Sequence, residues 1–153
     1  MRQRLPVLFG LLLASLGAEA PTGFVHWTKA DLQKLGAGLP AKVNAQKIAS
    51  QDLEKWGNHW SSLTYRAGDG EAELHETVAD IFLAEGGEAT LVVGGKIAGS
   101  REAEKGELRG KAITGGTRVK LTPGDLVHIP RNTPHQLLVP KNFTYLVIKV
   151  AVK

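Results

Sequence analysis

No cysteine occurs among the 153 residues, which excludes disulfide staples, zinc–thiolate and iron–sulfur sites, and a thiol nucleophile. Aromatic residues are scarce at 6%, whereas there are 18 glycines. That balance suits a turn-rich β protein better than a helical bundle. Long apolar runs are missing as well. The longest, residues 5–17, has 13 residues, short of the roughly 20 that a bilayer-spanning helix needs. Nor does one sign of charge dominate. The formal net charge is +4, with lysines and arginines scattered among acids and no basic stripe interleaved with aromatics. Nucleic-acid binding therefore has no support.

What is present is the composition of one globular domain. Apolar residues make up 42% and charged residues 22%, which argues against a wholly disordered chain. Residues 1–20 read as an export signal: Arg2 and Arg4 at the start, the apolar run, then Ala18-Glu19-Ala20 as a small-x-small cleavage pattern. The expected location is a periplasm or the outside, with no stable membrane span. The remaining residues, 21–153, suffice for one core and not for two.

Residues 21–58 read as a helical lead that packs on the main domain. Thr28 and Asp31 form an N-terminal capping pattern, and Gly36, Gly38 and Pro40 stop that helix. A second helix is expected over 45–56, with Ile48, Ala49, Leu53 and Trp56 on one side and Gly57 as its end. From about Trp60 the pattern changes to short strands. They are expected at 60–66, 71–76, 80–83, 89–93, 118–121, 125–129, 136–139 and 143–152, parted by Gly/Pro turns. Residues 94–117, glycine-rich and weakly patterned, read as a long excursion between two β halves. Many short strands with such turns indicate a sandwich or barrel.

One constellation carries chemistry. In a strand, Glu73 and His75 share a face while Leu74 points away. Asp80 opens the next apolar segment. His135 follows Pro130-Arg131-Asn132-Thr133-Pro134, where two prolines and a turn-competent asparagine fix its approach. Two imidazoles and two carboxylates are a competent set for a divalent transition metal. Glu76 should face away into solvent. His26 and His59 lie outside this region and read as surface or packing residues.

In spacing, the chain resembles the cupin superfamily, as a small single-domain cupin. Glu73-x-His75-x4-Asp80-x6-Gly87 matches the first cupin motif from its first ligand to its final glycine, and Gly124-x5-Pro130-x-Asn132-x2-His135 matches the second through its histidine. The resemblance covers about residues 60–150. Glu73 and Asp80 stand where that family's pattern has a histidine and a glutamate, Asn132 replaces a glycine, and Val139 replaces an asparagine. The motif's opening glycine is out of register by one.

The resemblance implies an all-β cupin or jelly-roll barrel over 59–153 and a metal held by Glu73, His75, Asp80 and His135. The acid-rich set makes the site harder than three histidines and a glutamate would, and iron, manganese, zinc and nickel all stay open. It further implies a small-molecule ligand and allows a homodimer. The function expected is binding of a small oxygenated ligand at the metal, with oxygenase- or isomerase-type chemistry; the alternative is a non-catalytic module for a sugar-like molecule. Tyr65, Arg66, His128 and Lys149 are the candidates for contacts to substrate or to the ligands. Of these, His128 reads first as structural and Lys149 as running out to solvent.

Overall fold

The computed structural model describes residues 20–152; the export signal expected over 1–20 lies, but for Ala20, outside the described residues. The first element is the helix α1 (Lys29–Gly38). Its start is the expected reciprocal cap: the Asp31 amide donates to Thr28 Oγ1 at 3.2 Å, and the Thr28 amide donates to Asp31 Oδ2 at 3.0 Å. A short 3-10 turn, Pro40–Lys42, follows.

The next stretch corrects an expectation. Residues 45–56 do not form a helix but contribute β1 (Ile48–Lys55), which pairs antiparallel with β2 (His59–Arg66) along its whole length. Gln51, Leu53, Glu54 and Lys55 favour a helix locally, but a long paired edge outweighs such weak preferences. Gly57 and Asn58, read as a helix stop, are the tip of a tight hairpin that the Trp56 amide closes on the His59 carbonyl at 2.8 Å.

Beyond β2 come β3 (Ala72–His75), β4 (Val78–Gly87) and β5 (Ala89–Val93). Residues 94–117 are a second correction. Instead of an unpatterned excursion they form β6 (Lys96–Ala98), β7 (Arg101–Glu104), β8 (Glu107–Gly110) and β9 (Ala112–Thr114), joined by glycine turns. The chain ends with β10 (Thr117–Leu121), β11 (Leu126–Ile129), β12 (His135–Leu138) and β13 (Phe143–Ala151).

Two sheets face each other, in the orders β1-β2-β13-β4-β11 and β10-β5-β12-β3-β8-β7, and β6 and β9 make a small separate ribbon. This is the jelly-roll sandwich. Between the sheets, Phe82, Leu91, Leu121, Ile129, Leu137, Phe143 and Tyr145 fill one end as a continuous core. Burying such side chains is the main stabilising term. On the outer face of β1 and β2, Leu39 packs with Ala49 and Leu63 and docks α1 there.

The other end of the sandwich holds the polar residues. Strand alternation turns Ser62, Thr64 and Arg66 of β2, Asp80 of β4, and Tyr145 and Lys149 of β13 toward a cavity between the sheets. Two motif positions have a backbone reason. Gly87 sits at φ +72°, and a Cβ there would meet the Asn142 carbonyl oxygen at 2.2 Å; no other residue fits. Asn132 stands at φ +60°, the left-handed geometry that asparagine tolerates better than most side chains, and its amide donates to the His75 carbonyl at 2.7 Å.

Candidate metal centre

The fold brings the four proposed ligands to one place. Glu73 and His75 come from β3, Asp80 from β4 and His135 from β12. His135 and Glu73 are direct cross-strand partners. Glu73, His75 and His135 each offer one donor atom, and those three atoms all lie within 4.8 Å of one another. Asp80 Oδ2 stands 3.3 Å from His75 Nε2 and 3.5 Å from His135 Nε2. Glu73 Oε2 is 3.6 Å from His75 Nε2.

Both imidazoles are oriented from behind. His75 Nδ1 donates to Glu107 Oε2 at 2.5 Å, and His135 Nδ1 donates to the Thr133 carbonyl at 3.0 Å. Tying off each Nδ1 leaves each Nε2 lone pair aimed inward. Four acceptors thus converge, and a set of acceptors asks for a cation. Ligands about 2.1 Å from a common ion stand roughly 3.0–3.4 Å apart. The histidine–carboxylate spacings of 3.3–3.6 Å are close to that, and Glu73, His75 and His135 form a group that could hold a divalent metal, with Asp80 beside the two rings.

Two contributors were not expected from the sequence. Strand β8 pairs with β3 so that Glu107 lies opposite His75 and Arg109 opposite Glu73. Arg109 then bridges the two acids, with Nη2 3.4 Å from Glu73 and Nη1 3.2 Å from Glu107. The alternation in Glu107-Leu108-Arg109 is the signal that marks a strand face there, and it repeats that of Glu73-Leu74-His75.

Lys149 corrects the sequence reading. Its tail does not run out to solvent but turns inward to Asp80, with Nζ 2.8 Å from Oδ1 and 3.0 Å from Oδ2. The same ammonium donates to His75 Nε2 at 3.1 Å. Asp80 is 2% exposed, and a buried carboxylate opposite in register draws the nearest cation. Arg66 also points in, and its Nε donates to Tyr145 Oη at 3.3 Å. Glu73 meets Arg66 Nη2 at 3.6 Å while its other oxygen faces His75 Nε2. Tyr65 and His128 are not brought to the site. Tyr65 packs on the outer face with Leu63, and His128 is exposed on β11. Glu76 is solvent-exposed, as expected.

Two cavities meet at this cluster. The larger, of about 900 Å³, is walled by Ser50, Ser62, Thr64, Arg66, Asp80 and Lys149 among others. The smaller, of about 230 Å³, reaches His75 and Glu107 past Trp60. Glu73, Arg109 and Lys149 line both.

The electrostatics set a pH response. Burial pushes the Asp80 carboxyl up, but hydrogen bonds with His135, His75 and Lys149 outweigh it and hold the group far below its ordinary 3.8. Burial pushes His75 down, but the Asp80 hydrogen bond and the charges of Asp80 and Glu73 outweigh burial and Lys149, raising it above 6.5. A depressed carboxyl contributes stability that is complete above its unfolded value and drains away as pH falls. A raised imidazole contributes stability that is complete below its unfolded value and is lost as pH rises through the folded one. Metal-free protein should therefore be most stable between about pH 4 and 6.5, the ordinary values of the two groups. Urea midpoints across the pH range check this; a midpoint still rising above about pH 7 would contradict it.

No protein-family model matches the sequence, and no curated protein matches it. Solved structures do. Protein NMB1881 from Neisseria meningitidis superposes with a TM-score of 0.53 at 12% identity, over 79% of this chain and 97% of that one. A cupin 2 conserved barrel domain protein from Salinispora arenicola gives 0.48 at 21% identity, over 72% of this chain and 82% of its own. The EutQ protein of Clostridium difficile gives 0.47 at 13% identity, over 69% of this chain; the chain spans 64% of that protein's length. The fold shared with the Neisseria protein is a two-sheet jelly roll. Fold and cluster together define the class: a jelly-roll domain with a Glu/His group that could hold a metal ion.

Proposed function

We propose that this is an exported cupin-fold protein that holds one divalent transition-metal ion on Glu73, His75, His135 and Asp80 and binds a small oxygenated ligand beside it. The observation that carries this reading is the orientation of the two imidazoles, each with Nδ1 tied off and Nε2 aimed at the same carboxylate, Asp80. A core histidine needs no such pair. The pattern at residues 1–20 supports export.

In this reading the ion supplies Lewis acidity or, if it is iron, oxygen activation. The chain's own residues do the rest. Glu107 keeps the His75 proton on Nδ1. Lys149 balances the charge of the buried Asp80, and an ion would share or displace its contacts to that carboxylate. Arg109 holds Glu73 and Glu107 in register across β3 and β8. Four protein ligands leave about two positions on an octahedral ion for a chelating ligand.

A second reading, a metal-free binding module for a sugar-like molecule, is favoured by one observation: the Lys149 ammonium already reaches two of the four ligand residues. Titration of metal-stripped protein separates the two. One zinc or manganese ion should bind per chain, and Glu107→Ala should weaken that binding by roughly 10–100-fold by freeing the His75 ring. Uptake far below one ion per chain, with ligand affinity intact, would select the metal-free module.

A further inference from the structure

We propose that the large cavity takes a polyhydroxylated carboxylate, a sugar-acid type of ligand, with its carboxylate on the Arg66 guanidinium and its hydroxyls along the wall of Ser50, Ser62 and Thr64. This rests on the metal reading for the ion's part in the affinity, and on Arg66 alone for the anion's.

Arg66 is 8% exposed, yet it is poorly matched by protein. Its Nε is used by Tyr145, whereas its terminal nitrogens make no hydrogen bond among the described residues; the nearest carboxylate oxygen, on Glu73, is 3.6 Å from Nη2. A guanidinium carries five N–H donors in a fixed fork that matches a carboxylate with two parallel bonds. Here the fork is buried and set on the cavity wall. Gly70 makes room for it, since a Cβ there would stand 2.9 Å from the guanidinium carbon.

The acids of the same wall are already engaged. Asp69 accepts from the Val139 amide at 2.7 Å, and Glu71 pairs with Arg101 at 2.8 Å. Asp80 belongs to Lys149. Lys47, exposed at the mouth, has no carboxylate within ion-pair distance among the described residues.

Charge bookkeeping in the cluster agrees. Three carboxylates, Glu73, Asp80 and Glu107, face three cations, Arg66, Arg109 and Lys149. With neutral imidazoles the site is balanced without any ion. A divalent metal adds two positive charges to a partly buried site, and burying that excess is costly unless an anion enters with it. A neutral ligand leaves the excess in place.

The same sheet supplies the hydroxyls, in line with Arg66 along β2 and on the adjoining β1. Ser50 Oγ and Thr64 Oγ1 are 3.0 Å apart, and Ser62 Oγ lies 3.4 Å from the same Thr64 oxygen. Hydroxyls both donate and accept, as a polyol needs.

Calorimetric titration with gluconate, sorbitol and hexanoate tests this, because the three share six carbons and differ only in charge and hydroxylation. It is run on metal-stripped and zinc-loaded protein, and on Arg66→Gln and Arg66→Lys. Gluconate should bind at least tenfold tighter than either of the others. Arg66→Gln should abolish that preference, and Arg66→Lys should keep only part of it, because an ammonium keeps the charge without the fork. Should Arg66→Gln fail to fold, Arg66→Lys carries the test. Equal affinity for gluconate and sorbitol, or for gluconate and hexanoate, overturns the proposal, as does an unchanged preference in the Arg66 variants. Gluconate binding that needs Arg66 but is indifferent to zinc keeps this proposal and removes the metal reading. Stoichiometric zinc uptake with no preference for gluconate does the reverse.

Discussion

Replacing His135 with alanine should lower divalent-metal affinity by at least about 100-fold, beyond what loss of an outer partner costs. The reason is geometric. Pro130 and Pro134 stiffen the approach to β12, Thr133 fixes the tautomer, and the ring ends 3.5 Å from Asp80 Oδ2. No other described side chain can take over that corner, because Phe82 packs on the other side of the ring at 6.3 Å between centroids. Truncating a ring that is 4% exposed also opens a cavity, costing about 2–4 kcal/mol of stability. His135→Gln is the companion, since it keeps most of the volume and a hydrogen-bonding end but ligates poorly. Both variants should bind metal weakly and remain folded by circular dichroism. Unchanged metal affinity in a folded variant would remove His135 from the site.

The second large effect is expected at Lys149, and it has two opposite signs. Lys149→Met removes the cation that balances a buried Asp80, so the metal-free protein should lose about 2–4 kcal/mol, somewhat less than for a fully buried pair because the lysine side chain is 26% exposed. The same change removes a competitor. The ammonium hydrogen-bonds to His75 Nε2 and to both Asp80 oxygens, and an ion must share or displace those contacts. Metal affinity should therefore rise at least tenfold in the variant, and added metal should raise its melting temperature more than that of the parent protein. Metal affinity that falls with Lys149→Met would show that the lysine supports the ion rather than competing with it.

The sequence revealed the site's centre more fully than its surroundings. Glu73 and His75 are two residues apart, and the period of a strand alone puts them on one face. His135 was legible because two prolines and an asparagine with φ near +60° dictate how the chain reaches it. Glu107 and Arg109 were not legible, because they enter through the pairing of β8 with β3, a register between segments some thirty residues apart that no local period reports. The segment 94–117 hid those strands because each is only three or four residues long and one of them, β7, faces solvent on both sides. Lys149 was misjudged for a related reason: its partner Asp80 lies across β4 and β13, so the pull that buries its tail is invisible along the chain. The helix expected at 45–56 failed where weak local preferences met a full-length strand partner.

The most direct measurement is an anomalous-scattering map from crystals of zinc-loaded protein. The account predicts a single strong peak about 2.0–2.1 Å from Nε2 of both His75 and His135, with a Glu73 oxygen beside it. A map with no peak there, and Lys149 still bonded to His75 Nε2, would contradict it.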